Sequence, residues 1–176
     1  MDFQVLNFFL LFEKMLSQYF ALYNQYKTKM GDLEIKAVDE YMEKVAKITL
    51  DMWIERIQSQ LRSVLPKRFE MKVEGNYITI TYPKTPNTTV VLSCRTDYNV
   101  NDWKDDKEKA KDANLFILCV RDCYEYPDFE EFREAIGIDN SYINPAIMSD
   151  KGKTEHVLTL TEMFDKIKQT LKPKTK

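Results

Sequence analysis

Hydrophobic positions along the chain follow two rhythms. From Asp2 to Lys27 apolar residues lie nearly all round a helix as far as Phe12. They then recur at spacings of three and four through Met15, Leu16, Tyr19, Phe20, Leu22, Tyr23 and Tyr26. This is the pattern of a helix buried on most sides. Met30-Gly31-Asp32 breaks it: Gly31 suits a left-handed helix end, and Asp32 suits the cap of the next helix. A second stripe runs through Ile35, Val38, Tyr41, Met42, Val45, Ile48, Met52, Trp53, Ile57, Leu61 and Val64. It predicts a helix from Leu33 to Leu65 that stops at Pro66. At 1.5 Å per residue that helix is about 50 Å long. The two together predict an antiparallel helical hairpin over 1–66.

After Pro66 the rhythm shortens to two. Phe69, Met71 and Val73 alternate with Glu70 and Lys72, and Gly75-Asn76 turns the chain into Tyr77 to Tyr82. Pro83 to Asn87 forms a loop. Thr88 to Arg95 is β-branched and apolar, Asp102 to Ala113 is dense in helix formers, and Leu115 to Val120 is a continuous apolar run closed by Arg121-Asp122. Two apolar strands joined by a polar helix predict a parallel strand-helix-strand unit covered on both faces. Phe129 to Ile136 reads as a short helix ended by Gly137, Ser141 to Lys153 as irregular, and His156 to Leu160 as a short extended piece. Thr161 is expected to cap a last helix, Glu162 to Leu171, and Lys172 to Lys176 to fray as a basic tail. The expected fold class is α+β: a long N-terminal helical hairpin (1–66), then a small mixed β-sheet with a strand-helix-strand unit and C-terminal helices (67–176), all in one domain.

Composition narrows the function classes. The 176 residues are 44% hydrophobic and 12% aromatic, enough for a packed core. The net charge of −2 gives no global basic field, so a polyanion would need a local patch. Cys94, Cys119 and Cys123 make no even disulfide framework, which predicts a reduced, intracellular (cytoplasmic) protein. Cys94 and Cys119 are expected on neighbouring strands, where an unusual redox compartment could join them. One His and no Cys-x-x-Cys leave too few ligands for zinc. No transmembrane span is expected, because Asn7 and Glu13-Lys14 interrupt the first apolar stretch. It also lacks the early basic residue and small-residue cleavage site of a signal peptide. The excess of apolar helix surface predicts a homodimer through the N-terminal helices.

The order helices, strand, strand, strand, helix, strand over roughly Phe69 to Asp122 resembles the restriction-endonuclease-like nucleases with a Pro-Asp…Asp/Glu-x-Lys signature. In that family the third strand carries apolar residues, then Glu-x-Lys. Here Val90-Val91-Leu92-Ser93-Cys94-Arg95 falls in that register, with Ser93 in the place of the acid and Arg95 in that of the lysine. Lys104 or Lys107 corresponds to the cation on the following helix. The family's earlier Asp would fall near Asn76, Thr79 or Thr81. The resemblance implies Mg²⁺ or Mn²⁺ held by carboxylates. Ser93 is a poor ligand for a hard cation, and Arg95 stays protonated and cannot act as a base. The reading is therefore a nuclease fold with a degraded metal site, needing no cofactor, that works by self-association and by binding nucleic acid.

Positions matching the motif are Ser93, Arg95, Asp97 and Lys107. A nucleic-acid face would draw on Lys84, Arg95, Lys104, Lys107 and Arg121, with Tyr98 and Trp103 as stacking candidates. Acids interleave with the lysines of that helix, so an exposed ion-paired surface is the competing reading. One alternative is an active Mg²⁺- or Mn²⁺-dependent endonuclease that recruits Glu43, Glu70, Glu74 or Asp97. Another is a helical-hairpin adaptor for a protein partner. A Cys-His pair from Cys94 or Cys123 with His156 lacks any local signature.

Overall fold

The computed structural model describes residues 17–19, 21–23, 32–97, 103–122, 129–145 and 156–172. Most of the predicted first helix, the Gly31 break, the 124–128 loop, Tyr98, Cys123 and the 173–176 tail lie outside them. The chain divides into two compact units, Met1–Val45 and Ala46–Lys176.

Within the first unit, residues 17–19 and 21–23 are helical. Tyr19 meets Tyr41 edge-on at 6.2 Å between ring centroids, and the Tyr23 hydroxyl donates to Asp39 Oδ1. The partner number falls as the residue number rises, so the two segments run antiparallel, as a helical hairpin requires. Met42 is buried, while Tyr19, Leu22 and Tyr41 are exposed.

Helix α1, Asp32–Val64, ends just before Pro66, whose ring disfavours helical geometry in the residue ahead of it. From residue 46 onward its buried line is Thr49, Trp53, Ile54, Ile57 and Leu61, continued by Leu65. Ile48 and Val64, expected on the inner stripe, are exposed, Ile48 by 56%. Both the 48–52 and the 49–53 rows have helical spacing, and only packing on the sheet selects between them.

Strands β1 (Glu70–Glu74), β2 (Tyr77–Thr81), β3 (Thr89–Asp97), β4 (Leu115–Asp122) and β5 (Ser141–Pro145) lie side by side in chain order. β1, β2 and β3 form an antiparallel meander, and β3, β4 and β5 are parallel. The β1–β2 turn closes with Glu74 opposite Tyr77. Gly75 has φ of +57° and Asn76 has no positive φ, the order of a II′ turn with glycine first. The expected parallel unit is present: α2 (Trp103–Ala110) joins β3 to β4, and α3 (Phe129–Ile136), ended by Gly137 at φ +78°, joins β4 to β5.

Strand alternation sorts the side chains into two cores. Ile78, Ile80, Val90, Leu92, Cys94, Ile117 and Cys119 face the inner line of α1 and Met163, Phe164, Ile167 and Leu171 of α4 (Leu160–Leu171). Tyr77, Val91, Phe116, Leu118 and Val120 face Ala110 of α2 and Phe132 and Ile136 of α3. Helices therefore cover both faces of the sheet, as parallel strands demand.

Two expectations near the C-terminus are corrected. Ser141–Pro145, read as irregular, is a sheet strand, with Phe116 opposite Ser141 and Val120 opposite Pro145. Pro145 closes the outermost named strand, where a missing N–H is tolerated. The predicted strand 156–160 shrinks to one bridge, Val157 to Ile143. The cap of α4 is Thr159 rather than Thr161. Thr159 Oγ1 accepts from Glu162 N and Glu162 Oε2 accepts from Thr159 N, a reciprocal pair that needs an acid three residues on. Among the described residues no helix is long and apolar enough to cross a membrane.

Candidate functional site

β3 is apolar at Val90, Val91 and Leu92, then polar at Ser93 and Arg95, which share one face. It is an interior strand: Ser93 pairs with Tyr77 on β2 and Leu118 on β4, and Arg95 pairs with Val120. The next turn of chain places α2 over this end of the strand. Trp103, Asp106 and Ala110, spaced three and four apart, form its inner line. Trp103 packs edge-on against Phe132, 6.2 Å between centroids, and lies partly buried against the core.

Asp106 is the centre of the site. Its side chain is 1% exposed, and that of Arg95 is 17% exposed. Asp106 Oδ1 accepts from Arg95 Nη2, Tyr77 Oη and Ser93 Oγ, each at 2.8 Å. Arg95 also donates from Nε to Ser93 Oγ at 3.2 Å and from Nη2 to Tyr77 Oη at 3.1 Å. With its amide oxygen toward the guanidinium, Asn76 accepts from Nη1 at 2.8 Å. The Tyr77 ring lies beneath two cations, Arg95 at 5.7 Å and Lys109 at 5.4 Å from the ring centroid. Burial pushes the Tyr77 hydroxyl far above the usual phenol range. The Asp106 charge and hydrogen bond act in the same direction, and Arg95 opposes them. Tyr77 is thus a fixed proton donor to Asp106.

Taking each ion of such a pair out of water costs several kcal/mol, which only further hydrogen bonds offset. Here they are supplied from three elements, so the network ties α2 to β2 and β3. Its donor set does not fit a divalent nuclease metal. It offers one carboxylate, two hydroxyls and an amide, and the shared Oδ1 already takes three donors. A guanidinium occupies the point on which these oxygens converge. Among the described residues no three His, Cys, Asp or Glu side chains gather where they could hold a metal ion. No family model, curated protein or solved structure matches the chain.

The other candidates are dispersed. Lys104 and Lys107 are exposed on the outer side of α2. Lys84 sits in the β2–β3 loop, at the far end of β3 from Arg95. The six residue steps from Thr89 to Arg95 alone span about 20 Å. Alternation puts Arg121 on the face opposite Arg95. Asp97 pairs with Asp122 across the strand ends, and its side chain lies outside the described residues. Glu70 and Glu74 are on the exposed edge strand, and Lys72, 2.6 Å from Glu74, holds that carboxyl below its ordinary range by hydrogen bonding and charge. Glu43 is exposed on α1. His156 lies against the Tyr142 ring at 5.9 Å, beside β5. Cys94 is two strands away from it, which rules out a direct Cys94–His156 pair. Cys94 and Cys119 are directly opposed, buried and unlinked. The Cys94 contact and burial push the Cys119 thiol well up, away from the reactive thiolate.

Sequence reasoning missed Asp106 and Tyr77 as members of the site and reached Asn76 only as a place for the family's earlier Asp. A signal for Asp106 was present. Trp103, Asp106 and Ala110 have inner-face spacing, and a carboxylate on that line must meet a cation or donor.

Proposed function

We propose that the chain is a catalytically silent relative of the restriction-endonuclease-like fold that serves as a self-associating binding module. The element order and the parallel β3–β4 pair support the resemblance. The observation that carries the silent-site reading is the buried Arg95–Asp106 pair, held by Tyr77, by Asn76 and by Ser93, the residue that the resemblance sets in the place of the family's acid. Exposed Tyr19, Leu22 and Tyr41 support self-association through the N-terminal helices. Nucleic acid, in this reading, meets the outward lysines of α2 rather than Arg95, whose donors are spent within the fold. The test incubates the full chain with labelled single- and double-stranded DNA and RNA, with Mn²⁺ and with chelator. No cleavage is expected, and light scattering is expected to give a mass above that of one chain. Metal-dependent cleavage of any substrate would overturn the silent-site reading, and a strict monomer would overturn self-association.

A further inference from the structure

The sheet face opposite the Arg95 network carries a cleft. α1 contributes Trp53, Arg56 and Gln60, spaced three and four apart and so on one side of the helix. With Asn144 and Pro145 at the end of β5 and Leu160 at the start of α4 they enclose about 260 Å³. The walls are fixed in place. Trp53 Nε1 donates to the Cys119 carbonyl at 3.1 Å, Asn144 Nδ2 donates to the Leu158 carbonyl at 2.7 Å, and the Thr159 capping box locks the first turn of α4. The cleft lies where Cys119 pairs with Asn144 and Val120 with Pro145, at the C-terminal ends of two parallel strands. Crevices at that end of parallel sheets are the usual ligand sites of α/β folds.

Two polar groups lining it lack a hydrogen-bond or ion-pair partner among the described residues. One is the half-buried Arg56 guanidinium, which lies 5.7 Å from the Trp53 ring centroid. The other is the Gln60 side-chain amide. An unpaired guanidinium matches the fork of a carboxylate. Of the remaining described walls, Trp53, Pro145 and Leu160 are apolar, and Asn144 and Thr159 are polar but already bonded within the fold. An apolar cavity of about 150 Å³ accepts a benzene ring, so this cleft has room for a ring and one carboxylate. Phosphate suits it less. Arg56 is the single cation among the described lining residues, and the Glu162 carboxylate already engages the first turn of α4 and adds negative charge there. We propose that the cleft binds a small carboxylate with a ring-sized apolar body, gripped by Arg56 and seated on Trp53. The proposal goes beyond the binding-module reading and does not depend on it, since it uses the other face of the sheet.

The test titrates benzoate into the ¹⁵N-labelled full chain, with benzyl alcohol and inorganic phosphate in parallel. Benzoate is expected to shift the Trp53 indole and Gln60 amide signals saturably. Arg56→Gln is expected to weaken benzoate about tenfold or more, while its benzyl alcohol affinity stays within about twofold of wild type. Arg56 makes no ion pair to a described residue, so the variant retains the fold, checked by its unshifted remaining spectrum. Absence of saturable shifts, equal benzoate affinity in Arg56→Gln, or phosphate binding tighter than benzoate would each overturn the proposal.

Discussion

The two faces of β3 are built on opposite principles in its C-terminal half, beyond Val91. Val90, Leu92 and Cys94 enter a wholly apolar core between the sheet and α1 and α4. One residue to either side of Cys94, on the other face, Ser93 and Arg95 enter a knot of hydrogen bonds around Asp106. The apolar face gains by area, at about 25 cal/mol per Å² buried, and tolerates exchange of one hydrocarbon shape for another. The polar face gains little net energy but is intolerant, because each group's loss strands another without a partner. One strand thus carries its stability on one side and its specificity of arrangement on the other.

The sharpest way to break this contrast is Asp106→Ala. It leaves Arg95 charged and buried, and is expected to cost about 3–5 kcal/mol in urea unfolding. Arg95→Met combined with Asp106→Leu should recover most of that loss. A double variant as unstable as Asp106→Ala would show that hydrogen bonding, not charge burial, dominates. On the apolar face, Leu92→Ala should cost about 2–5 kcal/mol, whereas Leu92→Met should cost less than about 1.5 kcal/mol. Equal costs for the two would contradict the area account.

Tyr77→Phe leaves Asp106 one donor short and should cost about 1–3 kcal/mol near neutral pH. It should also change the pH dependence. Below about pH 10 the phenol is protonated in both folded and unfolded chains, and its contribution is fully present. Above that, the unfolded chain ionises while the folded one resists, because the folded value is raised, so stability falls with rising pH. Unfolding midpoints should therefore decline less steeply at alkaline pH in Tyr77→Phe than in wild type. The smallest effect is at the α4 cap, where Thr159→Ala should cost about 1 kcal/mol and Thr161→Ala less than half of that.

What the sequence disclosed follows the same division. Area-driven elements announce themselves by period: α1, β2, β3 and β4 were all legible in the spacing of apolar residues. β5 was not, because Ser141 to Pro145 mixes polar and apolar residues without a clear period and ends in proline. Of the candidate site, Ser93 and Arg95 were legible as a register against a known motif. Their partner was not, because Asp106 sits among other acids on a helix that is otherwise outwardly charged, and only the rotation of that helix tells a buried carboxylate from a solvated one. The cap at Thr159 was missed although its pattern is local, since Thr161 stands directly ahead of Glu162 and the apolar Met163-Phe164 pair and lacks only the acid three places on.

The order β1-β2-β3-β4-β5 in space is also the order of synthesis. Each strand can dock on its predecessor as it leaves the ribosome, and none has to wait for, or be threaded between, strands made later. That order allows the sheet to grow by accretion at one margin, with β5 and the 156–158 segment added last. Length variation at that trailing margin would leave every earlier pairing, and the Arg95 knot with them, undisturbed.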